Sequence, residues 1–126
     1  MRFNDFTLLK KTSMISILHN PRCGKSREGI ALLEASGKAF EVIKYLEQPL
    51  NEEELNELIR KLNIRPIQLI RQKEKIWIEQ FKNQNLSDKE IVKAIVNFPI
   101  LMERPIVIAE KKAIVGRPPQ QILDII

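Results

Sequence analysis

The single cysteine of the chain, Cys23, stands in a run of turn-forming and basic residues, His19-Asn20-Pro21-Arg22-Cys23-Gly24-Lys25-Ser26-Arg27. A β-branched stretch ends before this run and a helical pattern begins within it, which predicts Cys23 at a helix N-terminus. Free backbone N–H groups and the helix dipole favour a thiolate there, and Arg22, Lys25 and Arg27 add full positive charges. A lone cysteine is usually a small buried apolar residue, but these flanking residues favour a nucleophile.

The same position suits an oxyanion, because free N–H groups at a helix start bind phosphate-like anions. Two familiar motifs are excluded by spacing. Gly24-Lys25-Ser26 resembles the end of a nucleotide-binding P-loop, but that motif needs a glycine where the chain has His19. Phosphatases with a Cys-x5-Arg motif would need an arginine where the chain has Gly29. A thiolate beside a small oxyanion is the chemistry that we predict.

Two arginines are predicted to meet at one end of a β-hairpin. With the turn centred between Glu110 and Lys111, the strand register places Arg104 opposite Arg117. Opposed arginines repel unless an anion lies between them, and planar guanidinium groups suit a tetrahedral oxyanion. Two exposed surface arginines are the alternative interpretation. Pro105 belongs at a strand entrance, and its bond to Arg104 is a candidate cis peptide.

His19 and Arg71 are ambiguous when each is taken alone. His19 is either a packed histidine at a strand end or a group that tunes the thiolate of Cys23. Arg71 follows a short helical stretch and is most simply a surface cation at a helix end. Since the chain has one cysteine and one histidine, we expect no zinc site, disulfide or iron–sulfur cluster, and no bound metal.

The chain has 126 residues, a formal net charge of +5 and 44% hydrophobic residues, which predicts one globular domain with a core of its own. We expect residues 1–13 to be an N-terminal extension and residues 14–126 to form the domain.

The absence of a secretory signal or long apolar run predicts a cytoplasmic protein without a membrane partner. With 6% aromatic residues, a small anion explains the charge better than nucleic acid does.

The alternation of strand and helix patterns predicts the frame that holds these residues. Strands are predicted at Met14–Leu18, Phe40–Lys44, Ile106–Ala109 and Ala113–Val115, and helices at about Gly24–Ser36, after Asn51, at Pro66–Arg71, at Ser87–Asn97 and at Gln120–Ile126. Gly37 ends the first helix, and capping boxes begin the helices after Asn51 and Ser87. The polar stretch Gln72–Leu86 is predicted to be anchored by Trp77 and Phe81. The order predicts an α/β, thioredoxin-like mixed four-stranded sheet with helices on both faces and a helical insertion.

Five segments carry a resemblance to a known family: His19 to Arg27 as quoted, Tyr45-Leu46-Glu47-Gln48-Pro49, Leu69-Ile70-Arg71, Pro99-Ile100-Leu101-Met102-Glu103-Arg104-Pro105-Ile106-Val107 and Gly116-Arg117-Pro118. In this order they resemble the arsenate reductases that are coupled to glutathione and glutaredoxin, from Met14 to the C-terminus. The resemblance implies Cys23 as the nucleophile on arsenate, and Arg71, Arg104 and Arg117 as the arginines that hold the oxyanion.

The resemblance also implies supporting roles for His19 and Ser26, with Arg27 adding a nearby positive charge. It implies a cis peptide bond between Arg104 and Pro105. It implies that the Cys23 thiolate forms an adduct with arsenate. Because the chain has no second cysteine, a resolving thiol must come from outside; the resemblance implies that glutathione supplies it as a co-substrate and that glutaredoxin removes the glutathionyl group. We expect no bound cofactor and a monomeric protein.

Two alternatives remain at this point. Transcription regulators of the Spx type share the resemblance and bind RNA polymerase, but they usually carry a Cys-x-x-Cys switch, whose second position is Ser26 here. A monothiol glutathione-dependent oxidoreductase acting on another substrate is the second alternative. Three converging arginines would be surplus in such a protein.

Overall fold

The computed structural model describes residues 14–126, so the expected extension at residues 1–13 lies outside the described residues. The strands and helices are β1 (Ile15–Leu18), α1 (Gly24–Ser36), β2 (Phe40–Ile43), α2 (Glu52–Leu62), α3 (Lys75–Gln80), α4 (Asp88–Asn97), β3 (Ile106–Ala109) and β4 (Lys112–Val115). Single-turn 3₁₀ helices occur at Pro66–Leu69 and Pro99–Leu101, and a longer one at Pro119–Asp124. The chain forms two compact units, one containing the described residues up to Gln48 with Arg104–Ile126, the other Pro49–Glu103.

The first unit is built on a four-stranded sheet with the strand order β2-β1-β3-β4. Strand β1 pairs parallel with β2 and antiparallel with β3, and β3 pairs antiparallel with β4. The parallel pair needs a crossover connection, which α1 supplies. The predicted mixed sheet with flanking helices is therefore confirmed. Ile106 lies opposite Val115 and Ala109 opposite Lys112, which is the register predicted from the position of the turn.

The core of this unit lies between the sheet and α1. Ile17, Leu33, Val107 and Ile122 are completely buried there and pack together. Gly29 of α1 faces the same core, and a Cβ atom at this position would come within 3.1 Å of both Pro105 Cγ and Ile122 Cδ1. The missing side chain therefore lets α1 approach the segment that carries Arg104 and Pro105.

The second unit contains the helical insertion. Helix α2 begins with a capping box, in which Asn51 Oδ1 accepts the Glu54 N–H at 2.8 Å and Glu54 Oε1 accepts the Asn51 N–H at 2.9 Å. Helix α4 begins with the equivalent box of Ser87 and Glu90, and both capping boxes were predicted. The apolar face of α2 is buried, and α2 packs against α4.

Three elements of the described chain differ from the sequence predictions. Helix α3 lies in the polar stretch that was predicted only to be anchored, and its Trp77 is buried with the ring stacked on Phe81 at 5.7 Å between centroids. The predicted helices at Pro66–Arg71 and Gln120–Ile126 are the 3₁₀ helices Pro66–Leu69 and Pro119–Asp124. Both end with a backbone bond to the residue three positions earlier, which is the hydrogen-bond pattern of a 3₁₀ helix.

The longest helix in residues 14–126 is α1, with 13 residues. About 20 apolar residues are needed to cross a membrane as a helix. None of the helices described has the length and the apolar composition that such a span requires.

Candidate active site

The loop between β1 and α1 positions Cys23 as the N-cap residue of the helix, as predicted. Its backbone is extended, with φ of −95° and ψ of 122°, and its carbonyl accepts the Arg27 N–H at 3.0 Å as the first bond of the helix. The N–H groups of Gly24, Lys25 and Ser26 precede that bond and have no partner within the helix. The Cys23 thiol is half-buried, so these groups and the sulfur share one partly shielded site.

The pKa of the Cys23 thiol is lowered from its ordinary value, although several effects act in opposite directions. Partial burial is the largest single effect and raises the pKa, but the favourable effects together outweigh it. Those effects are the backbone N–H groups of Ser26 and Lys25, the positive charge of Arg104 and a hydrogen bond from the Arg117 side chain. All of them stabilise the thiolate. The site therefore favours the nucleophilic form of the cysteine.

Arg104 and Arg117 meet at the end of the β3–β4 hairpin, as the register predicted. Arg117 Nη1 donates to the Arg104 carbonyl at 3.1 Å, and the Gly116 N–H donates to the Pro105 carbonyl at 2.8 Å. Arg104 is only 5% exposed, which excludes the alternative of two exposed surface arginines. The Arg104-Pro105 bond is cis, as the resemblance implied, and so is the Arg117-Pro118 bond, which was not predicted.

His19, Ser26 and Asn20 are buried together beneath the loop. The His19 Nδ1 atom lies 2.6 Å from Ser26 Oγ, and the same Oγ accepts the Asn20 N–H at 3.0 Å. The Ser26 hydroxyl therefore contacts both the His19 ring and the backbone of the loop. Ser26 thus links His19 to the first turn of the helix that begins after Cys23.

The pKa of His19 is lowered from its ordinary value. Burial is the main cause, and the positive charges of Lys44 and Arg27 contribute further. The lowered pKa favours the neutral form of the His19 ring. His19 is packed at the end of β1, and Ser26 connects it to the loop; an effect of His19 on the Cys23 thiolate stays a prediction.

Asn20 organises the loop through two acceptor atoms, whereas the sequence indicated only a turn-forming residue. Its Oδ1 accepts the Arg22 N–H at 3.0 Å, and its carbonyl accepts the Cys23 N–H at 3.0 Å. Asn20 therefore occupies two N–H groups of the loop and leaves those of Gly24, Lys25 and Ser26 for an anion. The signal that could have revealed this role is the preference of asparagine for accepting the N–H two residues later.

We expect Asn20→Ala to raise the pKa of Cys23, because the Arg22 N–H loses its acceptor and the loop no longer holds the sulfur against the helix start. Asn20→Ser retains a short side-chain acceptor and should restore most of the shift. The rate of Cys23 alkylation by iodoacetamide, measured against pH, reports the pKa in each variant. Equal pKa values for the alanine variant and the unchanged protein would contradict this role.

Arg27 and Arg71 are placed differently from the two hairpin arginines. Arg27 is exposed, and its Nη1 donates to the Pro21 carbonyl at 2.9 Å, which ties the first turn of α1 to the loop. Arg71 belongs to the second unit, where its Nε lies 3.0 Å from Glu74 Oε2. Its role as a third oxyanion-binding arginine therefore stays a prediction.

Comparison with known proteins places the chain in a family. The match to the ArsC family extends over residues 18–125, a range that includes Cys23, Arg104 and Arg117. The chain belongs to the ArsC family. This membership confirms the resemblance found in the sequence motifs.

Members of the ArsC family and related structures cover nearly the whole chain. The arsenate reductase of Neisseria meningitidis serogroup A is 44% identical over 110 residues, which are 86% of this chain and 94% of that protein. The uncharacterized protein YfgD of Escherichia coli is 44% identical over 117 residues, 91% of this chain and 98% of that protein. The structure of arsenate reductase from Vibrio cholerae superposes with a TM-score of 0.86 at 42% identity, covering 91% of this chain and 99% of that one. The thioredoxin-like fold is confirmed by this likeness.

Proposed function

We propose that the protein reduces arsenate to arsenite, with Cys23 as the nucleophile and with glutathione and glutaredoxin as the external reductants. The observation that carries the proposal is the stabilised Cys23 thiolate, on which both Arg104 and Arg117 act. The relatives named arsenate reductases support the choice of arsenate. The same groups that lower the pKa of the thiol can also hold an oxyanion against it.

In the first step, the Cys23 thiolate attacks arsenic. One sulfur–arsenic bond forms, and one arsenic–oxygen bond breaks, with the oxygen leaving as water after it takes up protons. Two anions must meet in this step, so positive charge that is already in place lowers the barrier. Arg104, Arg117 and the N–H groups at the start of α1 supply that charge.

In the second step, arsenic gains two electrons. Since the chain contains no second cysteine, a glutathione thiol must attack the adduct, and its sulfur ends in a disulfide with Cys23. The two thiols each lose one electron, arsenic(V) becomes arsenic(III), and arsenite leaves. Glutaredoxin then removes the glutathionyl group by thiol–disulfide exchange and regenerates the Cys23 thiol.

The test is a coupled assay with glutathione, glutathione reductase, glutaredoxin and NADPH. We expect oxidation of NADPH that depends on arsenate and on the purified protein. Failure to turn over arsenate, together with retention of RNA polymerase by the immobilised protein, would favour the Spx-type alternative. Turnover of a disulfide substrate without any response to arsenate would favour a monothiol oxidoreductase.

A second experiment isolates the thiolate itself. Alkylation of Cys23 should follow an apparent pKa below the free-cysteine value of roughly 8.5. Because the pKa is lowered in the folded protein, alkylation at neutral pH should be faster than for a free cysteine, and it should slow as the pH falls through the lowered pKa. In protein unfolded by denaturant, the pKa should return to the ordinary value. An unshifted pKa in the folded protein would contradict the thiolate assignment.

A further inference from the structure

Three exposed cations surround the loop that carries Cys23, and we call Arg22, Arg27 and Lys44 the basic rim. Arg22 directly precedes Cys23, and the Arg27 guanidinium is held against the loop by its bond to the Pro21 carbonyl at 2.9 Å. Lys44 follows the last residue of β2, whose carbonyl accepts the His19 N–H at 2.8 Å. Since β1 and β2 are parallel, their carboxyl ends lie at the same edge of the sheet. The three charges therefore share the edge from which Cys23 is reached.

The basic rim carries positive charge without carboxylate neighbours among the described residues. In residues 14–126 no carboxylate pairs with Arg22, Arg27 or Lys44. By contrast, Lys25 lies in the same region and is paired with Glu28 at 3.5 Å. Lys44 and Arg27 also act jointly on His19, whose pKa they both lower by their charge. The positive potential of the rim therefore reaches the buried residues under the loop.

A small oxyanion on Cys23 does not need the basic rim, because Arg104, Arg117 and the helix start already surround the sulfur. A larger anion does, if its reactive atom must reach Cys23 while its charged groups remain at the surface. The proposed function requires such a molecule, since an external thiol has to attack the adduct. We propose that the basic rim binds the carboxylates of a small anionic thiol as its sulfur approaches Cys23.

The proposal rests on the proposed function for its physiological meaning, but its test does not involve arsenate. In a disulfide exchange, the Cys23 thiolate attacks one sulfur of a small disulfide, forms a mixed disulfide and releases the other half as a thiolate. Three small disulfides undergo this same exchange but differ in charge. Oxidised glutathione is anionic, bis(2-hydroxyethyl) disulfide is neutral and cystamine is cationic. Complementary charge accelerates such encounters, and salt removes the acceleration.

The variant to use is Arg22→Gln combined with Lys44→Gln, which removes two exposed charges and replaces no buried side chain. The matched control is Lys112→Gln, because Lys112 is exposed at the start of β4, at the opposite end of the sheet. The neutral probe reports any change in the reactivity of Cys23 itself. Circular dichroism verifies that each variant is folded.

We expect the double variant to react roughly ten-fold more slowly with oxidised glutathione, less than about two-fold differently with the neutral disulfide, and faster with cystamine. Lys112→Gln should leave all three rates unchanged. Equal changes for all three probes, or no change for any, would overturn the proposal. Charge-selective exchange without arsenate turnover would leave the basic rim established and contradict only the proposed function.

Discussion

Cys23→Ser should abolish arsenate reduction while the protein remains folded. Serine has the same shape as cysteine, but its hydroxyl is not ionised at neutral pH and cannot act as a comparable nucleophile on arsenic. Removal of an essential nucleophile in other enzymes costs about 10⁶-fold in rate, so we expect turnover at the level of the protein-free mixture. Arsenite formation in the coupled assay measures the loss.

The stability of Cys23→Ser provides the control for that loss. Cys23 is the N-cap residue of α1, and a serine hydroxyl can accept the same backbone N–H groups of the first turn. Serine is among the preferred N-cap residues, so the variant should unfold at the same temperature as the unchanged protein or above it. Residual arsenate turnover in a folded Cys23→Ser protein would show that another group carries the chemistry.

Arg104→Ala and Arg117→Ala should each lower kcat/KM for arsenate by about 10²- to 10³-fold, the usual cost of removing a group that stabilises transition-state charge. Both arginines also lower the pKa of Cys23, so the alkylation pKa should rise in each variant. The larger effect is expected for Arg104, because its guanidinium is buried and acts in a less screened environment. Steady-state kinetics and the alkylation profile together measure the two contributions.

Conservative variants separate charge from geometry at these positions. Arg104→Lys and Arg117→Lys keep the positive charge but lose the planar, two-pronged donor, so they should restore the lowered pKa of Cys23 better than the affinity for arsenate. Arg60→Ala is the control, because Arg60 is exposed on α2 and pairs with Glu57. Unchanged kinetics and an unchanged Cys23 pKa in both alanine variants would remove the hairpin arginines from the site.

The site elements that were predictable from sequence depend on local chemistry. The position of Cys23 followed from a strand pattern, a proline-containing turn and a helix pattern in immediate succession. The pairing of Arg104 with Arg117 followed from the centre of one short turn, because a hairpin register propagates without further information. Capping boxes were visible for the same reason, since both partners lie within one turn of helix.

The features that escaped prediction depend on contacts between distant parts of the chain. The buried residues of α1 are Ser26, Gly29 and Leu33, so the side of the helix that faces the sheet includes two small residues. Two of these are small because the helix must approach Pro105 and the buried His19. A hydropathy pattern does not reveal such a face, because it reports the polarity of the side chains and not the space that the neighbouring elements leave for them.

The most direct test of the central claim is the mass of the intact protein after incubation with arsenate and glutathione in the absence of glutaredoxin. We expect one glutathionyl group to be added to Cys23, the addition to require arsenate, and arsenite to appear in equal amount. Glutaredoxin should then return the protein to its original mass. Unmodified protein under these conditions, or glutathionylation to the same extent without arsenate, would contradict the account.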